Sequence, residues 1–277
     1  MRALVLAGGG MRAAYASGVA HALQDAGERF DAVYGTSAGG AMGAWFTAGQ
    51  AELGTRTFAF ATDPVVLNFR RYLLRRGPLL DLDHLFWHVY PALVGFDVDR
   101  LRKAHNPAYV TAAEVESGLC HYFDVRKVAD PFLVLKATSA LPFVTSGPVR
   151  MNGGHYLDGG IVEPVPVRRA IEDGADDILV VFNRTPGPVP SEPRAVTWMA
   201  GRRYPMLYAA MKRHHALYHE AQTLIASPPP GVRVQVLAPK DTHGVTRLTR
   251  DQDRIGRLLE SGRADARALL DGAVESI

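Results

Sequence analysis

The sequence predicts an α/β fold, a three-layer sandwich with a mostly parallel sheet between helices. Three observations carry this. Short runs such as "ALVL" and "DDILVVFN" are almost wholly apolar, the signature of parallel strands buried on both faces. Segments with helical spacing of apolar residues alternate with them along the chain. Two of the junctions from strand to helix, "AGGGMR" and "YGTSAGGA", are rich in glycine.

Each element follows in turn. A strand at 2–6 leads into a helix at 12–26. "FDAVYG" is a second strand, and "SAGGAMGAWFTAG" a second helix built from small residues. Residues 50–105 read as helical with loops. "HYFDV" (121–125) is a strand candidate, and "PFLVLKATSALP" (131–142) a helix stopped by Pro142. "HYLDGG" (155–160) is a strand end or turn. A helix at 164–175 begins among prolines and ends at Gly174. The strand 176–183 precedes the one evident linker, "PGPVPSEP" at 186–193. Beyond it come a helix at 198–226, a strand "VRVQVLAP", and a charged helix at 250–272. This divides the chain into 1–183 and an extension, 184–277, packed on the same domain.

Composition narrows the function. The 277 residues are 47% hydrophobic and 21% charged, enough for a large core, and the net charge is +3 without a basic tail. A nucleic-acid partner is therefore not expected. The single cysteine, Cys120, excludes an intrachain disulfide and a cysteine zinc site. No apolar run reaches the roughly 18 residues of a membrane span. "ALVLA" is shorter than the apolar core of a signal peptide, about 7–15 residues. A reducing, cytoplasmic setting is the expectation. The composition sets no oligomeric state.

The first glycine motif, Gly8 to Ala13, fits G-x-G-x-x-A after a strand. A dinucleotide site also wants an acidic residue at the end of the next strand. Asp31 stands at its start, and the strand ends Val33-Tyr34-Gly35. No G-K-[ST] follows the glycines, so a Walker loop is excluded. Gly35-Thr36-Ser37-Ala38-Gly39 matches the G-x-S-x-G nucleophile elbow, where a serine sits on a tight turn into a helix. The glycines let the arms of the turn pass closely, and the helix N-terminus favours a developing anion. If the two strands are neighbours, amides of Gly8, Gly9, Gly10 and Met11 can face the oxygen that becomes negative when Ser37 attacks a carbonyl. The base has two sources. One is a late histidine, His214, His215, His219 or His243, completing an ordinary triad. The other is Asp158 in "YLDGGIVEPVPV".

Together, "GGGMR", "GTSAGG" and "YLDGGIVEPVPV", in that order and in their strand and helix context, resemble the patatin-like phospholipases, bacterial members in particular. "ATSALPFV" adds to the likeness, which covers about residues 3–183 and extends less specifically to the tail. Ala13 departs from the glycine that usually closes the first motif. The resemblance implies a patatin-like fold and hydrolysis of acyl esters of phospholipids or related lipids through an acyl-enzyme. It implies a Ser37–Asp158 dyad, with Gly159 and Gly160 turning the chain beside the elbow. Arg12 takes the basic position of the glycine loop, positioning that loop or compensating charge. The implied partner is a lipid or acyl ester, with peripheral contact at the inner membrane surface; no metal or other cofactor is needed. Residues 64–105 read as the specificity region, with Phe69, Tyr72, Leu73, Leu74, Phe86, Trp87 and Tyr90 lining an acyl channel and Arg70, Arg71, Arg75 and Arg76 at its rim. Two other functions compete: a non-catalytic lipid-binding or regulatory module on the same fold, and a nucleotide-binding oxidoreductase using the glycine loop.

Overall fold

The computed structural model describes residues 1–185, 187–188 and 193–272. Its first half is built as alternating units. Strand β1 (Arg2–Leu6) leads through a turn of 3-10 helix to α1 (Ala14–Asp25), then β2 (Ala32–Gly35), α2 (Ala38–Thr47) and α3 (Ala51–Ala61). The segment that follows holds short helices only: α4 (Phe69–Leu73), α5 (Leu82–His84), a wide helical turn Leu85–Val94, and α6 (Val98–Lys103). Pro91 lies inside the wide turn, where it removes a backbone donor, and Gly95 ends it with φ of 90°.

Next come β3 (Ala108–Glu114), β4 (Cys120–Asp124), α7 (Pro131–Thr138), β5 (Val149–Met151) and β6 (Gly154–Asp158). After them run α8 (Val167–Glu172) and β7 (Asp177–Val181). The remainder supplies α9 (Arg194–Arg203), α10 (Tyr208–Lys212), α11 (His214–Ala226), β8 (Arg233–Leu237) and α12 (Gln252–Leu270).

The strands form one mixed sheet in the order β5-β6-β3-β2-β1-β7-β8, with β4 also paired to β3. Strands β3, β2, β1, β7 and β8 are parallel; β4, β5 and β6 enter antiparallel. Successive residues of β1 feed opposite faces. Leu4 and Leu6 join Val33, Trp45 and Leu258 in one core layer. Ala3 and Val5 join Ile178, Val180 and Tyr218 in the other. The three expected layers follow from this burial of both faces.

Several sequence expectations shift. Strand β3 was not foreseen, because "AYVTAAE" carries too many alanines to announce a strand. The helix expected at 131–142 ends at Thr138, before Pro142. The helix expected at 198–226 is broken: Pro205 has no amide, and Tyr204 before it is forced out of helix to φ −134°, ψ 73°. Most of the expected linker at 186–193 lies outside the described residues.

Helix α12 buries Ile255, Leu258, Leu259, Gly262 and Ala266 as one stripe against α1. The two helices touch backbone to backbone. A methyl group at Gly18 would enter the shell of the Leu259 carbonyl, and one at Gly262 that of the Tyr15 carbonyl. Gly18→Ala and Gly262→Ala should therefore each cost about 1–3 kcal/mol, the scale of overpacking. Urea unfolding checks this; unchanged midpoints would refute the close packing.

Candidate active site

Strands β2 and β6 meet on one edge of β3. The Pro107 carbonyl accepts from the Val33 amide, and the Val115 amide donates to the His155 carbonyl. Both are odd-numbered groups at the ends of β3, so they face the same side. The even-numbered Ala108 and Glu114 bond to Val125 and Leu119, toward β4. Gly35 pairs with Val110 and Asp158 with Ala112. Only Thr111 of β3 separates the two strand ends. Its hydroxyl donates to Thr36 Oγ1 at 2.8 Å, and the Thr36 hydroxyl donates to the Glu163 carbonyl at 2.9 Å.

Ser37 occupies the turn between β2 and α2 with φ 55° and ψ −132°, a strained conformation for any residue with a side chain. The turn closes because methyl groups are missing where its arms cross. A Cβ on Gly39 would collide with the Ala7 carbonyl, and one on Gly35 with Gly40. The Ser37 amide donates to Thr138 Oγ1 at 2.8 Å. Its hydroxyl donates to Asp158 Oδ2 at 2.7 Å.

Asp158 is 4% exposed. Its second oxygen accepts from the Gly160 amide at 2.7 Å, and its own amide donates to the Ala140 carbonyl. Burial pushes the Asp158 carboxyl up to about 6; the bonds from Ser37 and Gly160 and the charge of Arg247 pull partly the other way.

The glycine loop lies beside this pair, with Gly8 against the Ser37 Cβ. Two of its four anticipated donor amides are already committed: Gly8 to the Pro164 carbonyl at 3.2 Å and Met11 to the Arg247 carbonyl at 3.1 Å. The amides of Gly9 and Gly10 have no partner among the described residues. Arg12 donates through Nε to the Gly9 carbonyl at 3.4 Å. Asn183 clamps the loop from below, donating to the Ala7 carbonyl at 2.7 Å and accepting from the Ala16 amide at 3.1 Å.

Ser37, Asp158, Gly160 and the glycine loop line one cavity of about 490 Å³. Its walls are largely apolar, with Phe58, Leu67, Leu80, Leu82, Phe86 and Tyr90. The expected channel is thus only partly right: Phe86 and Tyr90 line it, whereas Phe69, Tyr72, Leu73, Leu74 and Trp87 are exposed to solvent and do not. Arg71 is tied to Asp81. Of the candidate histidines, His214 lines the cavity. His155 is paired with Glu116, and His243 bonds Ser261. Asp31, which a dinucleotide site would need, is at the opposite end of β2 from the loop and binds the Arg2 amide. Among the described residues no group of three or more His, Cys, Asp or Glu could hold a metal ion, and no helix is long and apolar enough to cross a membrane.

Sequence reasoning did not find Thr138, Arg184, Tyr218 or Arg247 as part of the site. Only Thr138 carried a signal, inside the "ATSALP" stretch. The rest come from the chain beyond β7.

Known proteins bear on this geometry. A family model described as "Patatin-like phospholipase" matches residues 4–171, and a domain of unknown function, DUF6363, matches residues 204–275. The uncharacterized protein YjjU of Escherichia coli is 29% identical over 272 residues, which cover 92% of this chain and 75% of that protein. The crystal structure of VipD from Legionella pneumophila shares the fold, with a TM-score of 0.51 and 13% identity over 98% of this chain and 67% of that one.

The raised Asp158 pKa has a consequence for stability. Between the unfolded value near 3.8 and the folded value of about 6, the native state binds the extra proton. Stability therefore falls as pH rises through that window, by on the order of 3 kcal/mol in total. Asp158→Asn should remove this slope. Urea titrations of both proteins at pH 4.5 and 8 check it; parallel pH profiles would refute the buried charge.

Proposed function

The chain belongs to the patatin-like phospholipase family, and from that premise we propose that it is a serine hydrolase of lipid acyl esters working through a Ser37–Asp158 dyad. One observation carries the reading: the 2.7 Å hydrogen bond from the Ser37 hydroxyl to a buried carboxylate, at the wall of an apolar cavity.

In the proposed reaction the Ser37 oxygen attacks the ester carbonyl while Asp158 accepts its proton. A carboxylate is ordinarily a weak base; a pKa of about 6 brings it nearer to neutrality and makes the transfer more favourable. The oxyanion is received by the Gly9 and Gly10 amides, since those of Gly8 and Met11 are engaged. The N-terminus of α2, which starts beside Ser37, adds its dipole. Collapse expels the alcohol, which takes the proton back from Asp158 and leaves the acyl group on Ser37. Water then attacks the acyl-enzyme and gives its proton to Asp158; collapse breaks the bond to Ser37 Oγ, which takes that proton back as the carboxylic acid leaves. Arg12 acts on the loop through its bond to the Gly9 carbonyl. Residues 1–183 form the catalytic part in this reading. The extension from 184 adds β8 to the sheet and α12 to α1.

The chemistry is tested on a soluble ester and on phospholipid vesicles. Ser37→Ala should reduce hydrolysis to background, and Asp158→Asn should lower kcat by about 10²–10⁴-fold, the scale of general-base loss. Alanine at His155 or His243 should leave kcat/KM within about tenfold. Undiminished turnover by Ser37→Ala would point instead to another nucleophile. Lipid binding without any turnover by the wild type would favour the non-catalytic module.

The pH profile gives a second test. Only the ionised carboxylate can accept the proton, so kcat/KM should fall as pH drops through about 6. The acid limb of the kcat/KM profile measures this, and an inflection near 4 would mean that the base is a solvated carboxylate elsewhere.

A further inference from the structure

The cavity lining mixes two chemistries. Leucines and phenylalanines share it with Arg12, Arg184 and Arg247. Building on the hydrolase reading above, we propose that Arg184 and Tyr218 form a headgroup subsite that binds the phosphate of a glycerophospholipid whose acyl ester lies at Ser37.

Tyr218 is 5% exposed and lines the cavity, yet its hydroxyl has no hydrogen-bond partner among the described residues. The Arg184 Nε is likewise buried and without one. Buried donors left in this state cost folding free energy, and a ligand that accepts from both recovers it. The two groups are also held in place. The Arg184 guanidinium lies 5.6 Å over the Tyr218 ring, which packs at 5.6 Å on Phe182. Arg184 Nη2 is tied to the Pro188 carbonyl, which orients the planar fork and leaves Nε to a ligand.

The preceding residue ties Arg184 to the glycine loop. Asn183 is bonded to Ala7 and Ala16 and packs on Gly9, so Arg184 emerges from the base of the loop beside Ser37. Burial raises the Tyr218 phenol, and it stays a proton donor at every working pH. A guanidinium and a neutral hydroxyl offered together match the acceptor oxygens of a phosphodiester. The α4 arginines line no part of this cavity, and of the three arginines that do, Arg184 and Arg247 lie beyond β7.

The test uses the full chain carrying Ser37→Ala, which keeps the ester intact. Calorimetry compares dihexanoyl-phosphatidylglycerol with dihexanoylglycerol, which has the same chains and no phosphate. The phospholipid should bind at least about tenfold more tightly, the worth of one charge-assisted hydrogen bond. Adding Arg184→Gln or Tyr218→Phe should reduce that preference several-fold. Tyr218→Phe deletes only the unpaired hydroxyl and should unfold no earlier in urea. Arg184→Lys, with the charge but not the fork, should restore part of the preference. A preference unchanged in Tyr218→Phe and Arg184→Gln would overturn the subsite. Inorganic phosphate binding as tightly as the phospholipid would assign the site to a free anion and overturn it too. Hydrolysis of p-nitrophenyl butyrate by the unmodified chain, run in parallel, reports on the Ser37 reading separately.

Discussion

The bond between the Ser37 hydroxyl and the Asp158 carboxylate exists because two strands end against the same edge of a third. Strand β2 runs parallel to β3 and β6 antiparallel to it, so their carboxyl ends point at each other across Thr111. The serine leaves one strand end on a strained turn, and the aspartate is the last residue of the other. No flexible loop has to find the geometry. The backbone ladder of β3 holds both side chains, which suits a site in which errors of about an ångström are costly to catalysis.

That arrangement carries two unfavourable terms. Ser37 has a positive φ, at roughly 1–3 kcal/mol, and Asp158 is a carboxylate held out of water. The surroundings offset both with hydrogen bonds placed on backbone. Thr138 takes the Ser37 amide, Gly160 supplies a donor to Asp158, and the Thr111–Thr36–Glu163 chain stitches the elbow to the turn after β6. The same burial that destabilises the charged carboxylate raises its basicity. Strain and desolvation are thus tied to the proposed chemistry rather than incidental to it.

Much of this was legible because it is local. Strand β1, the G-x-S-x-G turn and the Asp-Gly-Gly turn each announce themselves within a few residues. Strand β3 did not, since its alanines lack the β-branched signature and its role depends on neighbours far off in sequence. The glycine loop was recognised, but which amides it leaves available depends on Pro164 and Arg247, distant carbonyls that no local pattern names. The cavity wall was only partly legible for the same reason. Phe86 and Tyr90 turn inward, whereas Phe69 and Leu73 sit on a short helix with no buried residue. Aromatic content alone does not say which way a side chain faces.

In the proposed site one unbroken contact, serine to carboxylate, is the reactive unit, and the Gly9 and Gly10 amides donate to its oxyanion. A crystal structure of the chain inactivated by an alkyl fluorophosphonate tests it most directly. The account predicts phosphorus on Ser37 Oγ and a phosphoryl oxygen about 2.7–3.1 Å from the Gly9 and Gly10 amides. The alkyl chain should run along Leu67 and Phe86, with Asp158 still beside the serine oxygen. An adduct on another residue, a phosphoryl oxygen turned away from the loop, or a histidine ring between Ser37 and Asp158 would contradict it.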